Sequence, residues 1–224
     1  MDCIIPAGGA STRMGEWKLL LPWPRPAAAP SESAAPLGPD AASDRGTASA
    51  CTVVQATVSA ALAAGCRVVL VGGWRGTELA ELFADSRNII LVQNDSWKAG
   101  MLGSIQRGMR EIGASSFLTI PADMPLVGAA LYSRLIDESE RRKAAGIKSL
   151  PLFASYKGEP GHPVFIPAEL CSGIAELPPG GKLRPFLIRE GGLCLETGSD
   201  SVLVDLDKPD EYKAALARAL NKEA

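Results

Sequence analysis

A run of small residues followed by two cations stands near the start of the chain: Pro6-Ala7-Gly8-Gly9-Ala10-Ser11-Thr12-Arg13-Met14-Gly15-Glu16-Trp17-Lys18. Adjacent glycines let a backbone approach a ligand closely and turn amide hydrogens toward an anion. Arg13 can clamp a phosphate through two parallel hydrogen bonds. Lys18 is a compact charge, suited to neutralising negative charge that grows on a reacting phosphate. Together these residues suit nucleotide binding by Ala7, Gly8, Gly9, Arg13 and Lys18, with displacement at phosphorus. A plain turn with two solvated cations is the blander alternative. The run is not a Walker loop, because Gly-Lys-Ser/Thr is absent. Nor is it the dinucleotide fingerprint, because Gly8 and Gly9 are adjacent and Gly15 lies too far on.

The acidic candidates lie further along. Asp123 follows the apolar residues 117–120 and precedes Met124-Pro125. A hard cation such as Mg²⁺ wants carboxylate oxygen together with phosphate oxygens, and an Asp at the end of a strand supplies it. A turn-capping role is the alternative. Asp205 and Asp207 stand two apart in residues that read as a strand, so their side chains would share a face. They would complete the metal site through Asp205, or bind an acceptor. Asp207 equally suits a turn before Pro209. His162 is the only histidine, and it suits either a structural or an acceptor-binding role. Ser104 fits the N-cap of the helix after it better than a nucleotide contact. Trp17, Trp23, Trp74 and Trp97 can stack on a ring or pack as partly buried residues.

The elements that must position these residues alternate in type. Residues 3–5, 67–71, 89–92, 117–120 and 202–206 read as strands. Residues 53–64, 77–83, 104–112, 129–145 and 210–220 carry helical spacing. Such alternation predicts a Rossmann-like α/β fold, a mostly parallel sheet with helices on both faces. Ligands of such sheets bind outside the carboxyl ends of the strands, where the candidates above fall. Residues 24–50 are rich in Pro, Ala, Ser and Gly and have too few large apolar residues to order themselves. They read as a flexible insertion, either lid or solvated filler, within one domain spanning 1–224.

Composition bounds the function. Hydrophobic residues make up 46% and charged residues 21%, with a net charge of −2. That is no basic footprint for nucleic acid, and no apolar run is long enough to cross a membrane. The five cysteines have no zinc or redox spacing, and they read as reduced thiols of a cytoplasmic protein.

The segment 5–18 resembles the signature of the nucleotidyltransferases that build molybdenum cofactor dinucleotides. Lys18-Leu19-Leu20-Leu21-Pro22 is more similar to the cytidylyltransferase branch than to the guanylyltransferase branch. Residues 94–105, from Asn94-Asp95 to Ser104-Ile105, resemble that family's second nucleotide segment, which implies nucleotide contacts from Asn94, Gly100 and Ser104. Pro121-Ala122-Asp123-Met124-Pro125 resembles its Asp-Met-Pro metal site. Gly161-His162-Pro163-Val164 and residues 205–212 match two further stretches. The resemblance implies a nucleotide-diphospho-sugar transferase type of fold, Mg²⁺ as cofactor, CTP as favoured nucleotide and a pterin phosphate, molybdopterin, as acceptor. Residues 178–184 depart from it, lacking the acidic residue of the family's Gly-Asp-x-Gly-Ala-Arg. Two alternatives stay open. One is transfer to a sugar phosphate or other small phosphate ester. The other is a non-catalytic nucleotide- or pterin-binding protein that serves a molybdenum hydroxylase apoenzyme.

Overall fold

The computed structural model describes residues 1–11, 14–25 and 50–222. Its strands form a seven-stranded sheet in the order β5-β4-β1-β6-β8-β7-β9. These are β1 (Asp2–Ala7), β4 (Arg67–Gly72), β5 (Ile89–Gln93), β6 (Phe117–Thr119), β7 (Leu152–Tyr156), β8 (Glu159–Ile166) and β9 (Leu193–Glu196). Among the described residues, four of the six neighbouring pairs are parallel, and both antiparallel pairs involve β8. The expected α/β, mostly parallel sheet is present.

The strands next to the site are buried on both faces, so they read as continuous apolar runs. Alternate residues serve opposite layers. Cys3 and Ile5 of β1, with Val68 and Leu70 of β4, pack beneath α1 (Val53–Ala63) and α4 (Ala129–Ala144). Ile4, Val69 and Val71 face α3 (Met101–Ile112) and α6 (Leu183–Arg189) on the other side. Helix α3 comes close because Gly108 has no side chain. A Cβ there would lie 2.7 Å from Cγ2 of Ile4.

Helix α1 begins where it does because Thr52 and Gln55 form a reciprocal cap. The Gln55 amide donates to Thr52 Oγ1 at 3.4 Å, and the Thr52 amide donates to Gln55 Oε1 at 2.9 Å. Before it, β2 (Pro22–Pro24) and β3 (Ala50–Thr52) form a small antiparallel ladder. Of the insertion expected at 24–50, residues 26–49 lie outside the described residues, while its two ends are paired partners.

Three expectations are corrected. Residues 202–206 are not a strand: Asp200–Leu203 form a 3-10 turn and the next four residues are coil. Asp205 and Asp207 therefore do not share a strand face. Ser104 does not cap a helix, since α3 starts at Met101 after Gly100, whose φ of 104° only glycine adopts readily. Strand β8 escaped the sequence reading because prolines disfavour strands. They are tolerated here at a bulge. Val164 pairs with Phe153 but Pro160 with Ser155, so residues 161–163 loop out of register.

Candidate active site

The carboxyl ends of β1, β4, β5 and β6 converge on one edge of the sheet, and backbone hydrogen bonds lock the loops that leave them. The Trp74 amide donates to the Gly8 carbonyl at 3.3 Å, and the Asn94 amide to that of Gly72 at 2.9 Å. The Ala122 amide donates to the Pro6 carbonyl at 3.1 Å. Trp17 Nε1–H donates to the Gly9 carbonyl at 3.2 Å, and Ser11 Oγ accepts from the Lys18 amide at 3.3 Å. These bonds fix the ends of the glycine-rich loop and set the backbone of Lys18.

The glycines do two different jobs. A Cβ on Gly73 would fall 2.5 Å from Cβ of Trp97 and 2.8 Å from Cα of Gly8, so the turns after β1 and β4 touch backbone to backbone with Trp97 wedged against both. A Cβ on Gly9 would meet nothing within 4 Å. That space belongs to a cleft of about 320 Å³ floored by Ala7, Gly8 and Gly9 and walled by Lys18, Asp123 and Asp205. Gly100, Ser104 and Asp207 complete its lining.

Charge is concentrated at one end of the cleft. The Lys18 ammonium contacts a carboxylate oxygen of Asp123 and lies 2.6 Å from Oδ1 of Asp207. Burial works to lower its pKa, but Asp123 and Asp207 outweigh burial and hold it above the usual lysine value. Asp123 is buried, and its loop is pinned by Thr57, whose hydroxyl donates to the Ala122 carbonyl at 3.1 Å. Partial burial, then the charges of Asp123 and Asp207, raise the carboxyl of Asp205 above its usual value, with Lys18 pulling the other way. Glu211 positions the acidic loop. Its carboxylate accepts from the amides of Asp207 and Lys208 at 3.0 and 2.9 Å, at the start of α7 (Pro209–Lys222). Proline at the first helical position and Glu two residues later are the sequence signal for this cap.

Two anions of this group therefore lean on one ammonium, while the third has no comparable partner among these charges. A divalent cation fits such a donor set, with phosphate oxygens and water filling its remaining positions. Among the described residues, no three His, Cys, Asp or Glu side chains enclose a metal ion by themselves.

The remaining candidates sit as follows. Asn94 is buried and donates through Nδ2 to Ser104 Oγ at 3.0 Å, so Ser104 braces the second loop against the cleft. His162 lines a separate cavity that shares Met101 with the cleft. Arg13 lies outside the described residues. Trp17 and Trp23 are buried packing residues. Trp17 meets Trp74 edge-on at 5.8 Å, and the Arg75 guanidinium lies over both rings. Arg75 and Glu211 were not singled out by sequence reasoning.

A family model described as MobA-like NTP transferase domain matches residues 3–193. The chain belongs to this family. As a MobA-like NTP transferase it is a nucleotidyltransferase by family. The molybdenum cofactor cytidylyltransferase of Escherichia coli (strain K12) is 27% identical over 97% of this chain and 96% of its own. A nucleotidyl transferase from Methanothermobacter thermautotroptrophicus has a TM-score of 0.73 at 22% identity, covering 99% of this chain and 98% of that one. The manganese complex of Rv0371c from Mycobacterium tuberculosis has a TM-score of 0.63 at 21% identity, covering 96% and 97%. At those identities the two structures share the fold. No described helix of this MobA-like chain is long and apolar enough to cross a membrane.

Proposed function

We propose that the chain, acting as one domain over 1–224, transfers CMP from CTP to a phosphorylated acceptor, with molybdopterin as the favoured acceptor, and releases pyrophosphate. The observation that carries this reading is the Lys18–Asp123–Asp207 cluster at the end of a glycine-floored cleft. A cytidylyl substrate is supported by the Lys18-Leu19-Leu20-Leu21-Pro22 stretch and by the name of the Escherichia coli relative. A metal is supported by the carboxylate set and by the manganese in the mycobacterial neighbour's title.

The amides of Ala7, Gly8 and Gly9 face the triphosphate, and Asn94, Gly100 and Ser104 shape the pocket for the nucleoside. Arg13 clamps the phosphates from the same loop. An acceptor phosphate oxygen attacks the α-phosphorus in line. The bond to the bridging oxygen of the pyrophosphate breaks, and that oxygen leaves with the electron pair. No protein nucleophile takes part. Asp123 and Asp205 would hold Mg²⁺, which supplies charge neutralisation at the phosphates when bound. Lys18 exchanges a carboxylate contact for a phosphate oxygen and balances charge as it moves to the leaving group. Asp207 keeps Lys18 placed. The chain acts in the cytoplasm, a setting consistent with free cysteines of which four are buried.

The test is pyrophosphate release with CTP, GTP, ATP and UTP in the presence of Mg²⁺ and molybdopterin. CTP should be fastest, and Asp123→Asn should abolish release while leaving the melting temperature intact. Near-normal release by Asp123→Asn would remove Asp123 from the metal site. Tight nucleotide binding with no release on any acceptor would favour the non-catalytic binder.

A further inference from the structure

The seven-stranded sheet ends in two edges, β5 and β9, and the chain treats them differently. At β9 the amides of Leu193 and Thr197 bond the carbonyls of Pro151 and Ser155, so the backbone groups of Cys194 and Glu196 point outward. That edge is blunted, because the Arg134 guanidinium donates to the Glu196 carbonyl at 2.9 Å. At β5 the Asn88 carbonyl accepts from the Val68 amide at 3.0 Å, and the Asn94 amide donates to the Gly72 carbonyl at 2.9 Å. Every second residue between them bonds β4, so the amides and carbonyls of Ile89, Leu91 and Gln93 point away from the sheet. Among the described residues no backbone group meets them. The strand Ile89-Ile90-Leu91-Val92-Gln93 has no proline, charge or bulge, the devices that usually protect an edge. Its apolar side chains, Ile89 to Val92, are only half-buried.

We infer that β5 is the interface of a symmetric dimer, in which it pairs antiparallel with β5 of a second copy. A two-fold axis through Leu91 sets Leu91 opposite Leu91 and Ile89 opposite Gln93. These are the residues with outward groups, so each such pair exchanges both of its hydrogen bonds. The closer, non-hydrogen-bonded pair is Ile90 against Val92, on the face covered by α3. On the opposite face a groove of about 480 Å³ runs between α2 (Gly76–Leu82) and β5, lined by Thr77, Leu79, Ala80 and Leu91, and it receives Ile89 of the second copy. Charge favours a second copy over any other strand. The turn before β5 carries Arg87 and the loop after it carries Asp95, both exposed. Antiparallel pairing brings Arg87 of each copy against Asp95 of the other, so the edge is complementary to itself. Asp85 and Lys98, further out at the two ends, repeat the complementary signs. The interface is independent of the transferase reading, since none of these residues lines the cleft.

Analytical ultracentrifugation of the full chain over a concentration series tests this. The parent should show a reversible equilibrium of monomer and dimer with no larger species, because one β5 closes with one other. Arg87→Asp and Asp95→Arg each set like charges against each other at both ends of the ladder, and each should weaken the dimer by roughly tenfold or more. An equimolar mixture of the two variants should restore it, since every end contact then joins unlike charges. Leu91→Pro removes an outward amide and leaves the bonds to β4 in place, so it should be monomeric. Melting temperatures of the two charge variants, measured at concentrations where the parent is monomeric, should match the parent's, which separates loss of the dimer from loss of the fold. A parent that stays monomeric at every concentration would overturn the interface. So would a dimer that both charge variants keep at full strength, or a mixture of the two variants that stays monomeric.

Discussion

Lys18 carries two assignments that one substitution separates. Its ammonium is bonded by Asp123 and Asp207, so it holds the acidic cluster together as well as facing the phosphates. If it neutralises charge that grows in the transition state, Lys18→Ala should lower kcat by roughly 10²–10³. Affinity for CTP should weaken far less. Lys18→Arg should restore little, because a planar fork cannot take the place of a point charge between two carboxylates. Steady-state turnover beside isothermal titration with CTP checks this, and normal turnover in Lys18→Ala would remove the residue from the mechanism. Gly73 makes a second residue-scale case. Gly73→Ala puts a Cβ against both Trp97 Cβ and the Gly8 backbone, with a cost of about 1–3 kcal/mol by overpacking. Trp97→Ala in the same chain should not rescue it, because the Cβ of residue 97 and the backbone of Gly8 remain. Thermal melting and CTP titration of the single and double variants report the outcome, and rescue would show that the indole ring is the obstacle.

At the level of elements, the site depends on loops tied at both ends. The β2–β3 ladder joins the two ends of the insertion, pairing Pro24 with Ala50. Replacing residues 26–49 with a short glycine-containing linker therefore spans a distance that the fold already closes. Loop-closure entropy changes by only about 0.6 kcal/mol per doubling of length, so the shortened chain should melt within a few degrees of the parent, or slightly above it. A fall of 10 °C or more in a melting scan would show that the segment packs on the core. The bulge in β8 follows the same logic at another loop, since three residues out of register carry the His162 side chain to the cavity that shares Met101 with the cleft.

Across the whole molecule, that histidine links the fold to pH. Burial first, then the Arg184 charge, lower the His162 pKa from 6.5 to about 4, against a hydrogen bond to the Thr119 backbone that works the other way. Lys182 is a further positively charged group lining the cavity. With the folded value below the unfolded one, the unfolded chain binds the extra proton over that interval. The contribution is complete above about pH 6.5 and is lost as pH falls through about 4. His162→Gln should flatten the acid limb of the melting temperature against pH between those values, relative to the parent. An unchanged difference between the two proteins from pH 7 to pH 4 would contradict a buried neutral imidazole.

The sequence by itself determined the glycine-rich loop, the strand before it and the strand that leads to Asp123. Strands buried on both faces leave unbroken apolar runs, and close ligand approach leaves adjacent glycines. Helix α1 was legible for the same local reason, the helical spacing of its apolar residues. Strand β8 was hidden, because Pro160 and Pro163 contradict local strand preference and only pairing with β6 and β7 keeps the segment extended. Residues 202–206 misled in the opposite sense. Val202 and Leu206 are fully buried, but a 3-10 turn and coil bury them without any ladder. Tertiary structure alone decided that Asp207 meets Lys18 from 189 residues away, and that His162 faces a cavity apart from the phosphates. Local spacing encodes which face of an element is apolar, whereas the meeting of distant loops depends on strand order, which residue spacing does not record.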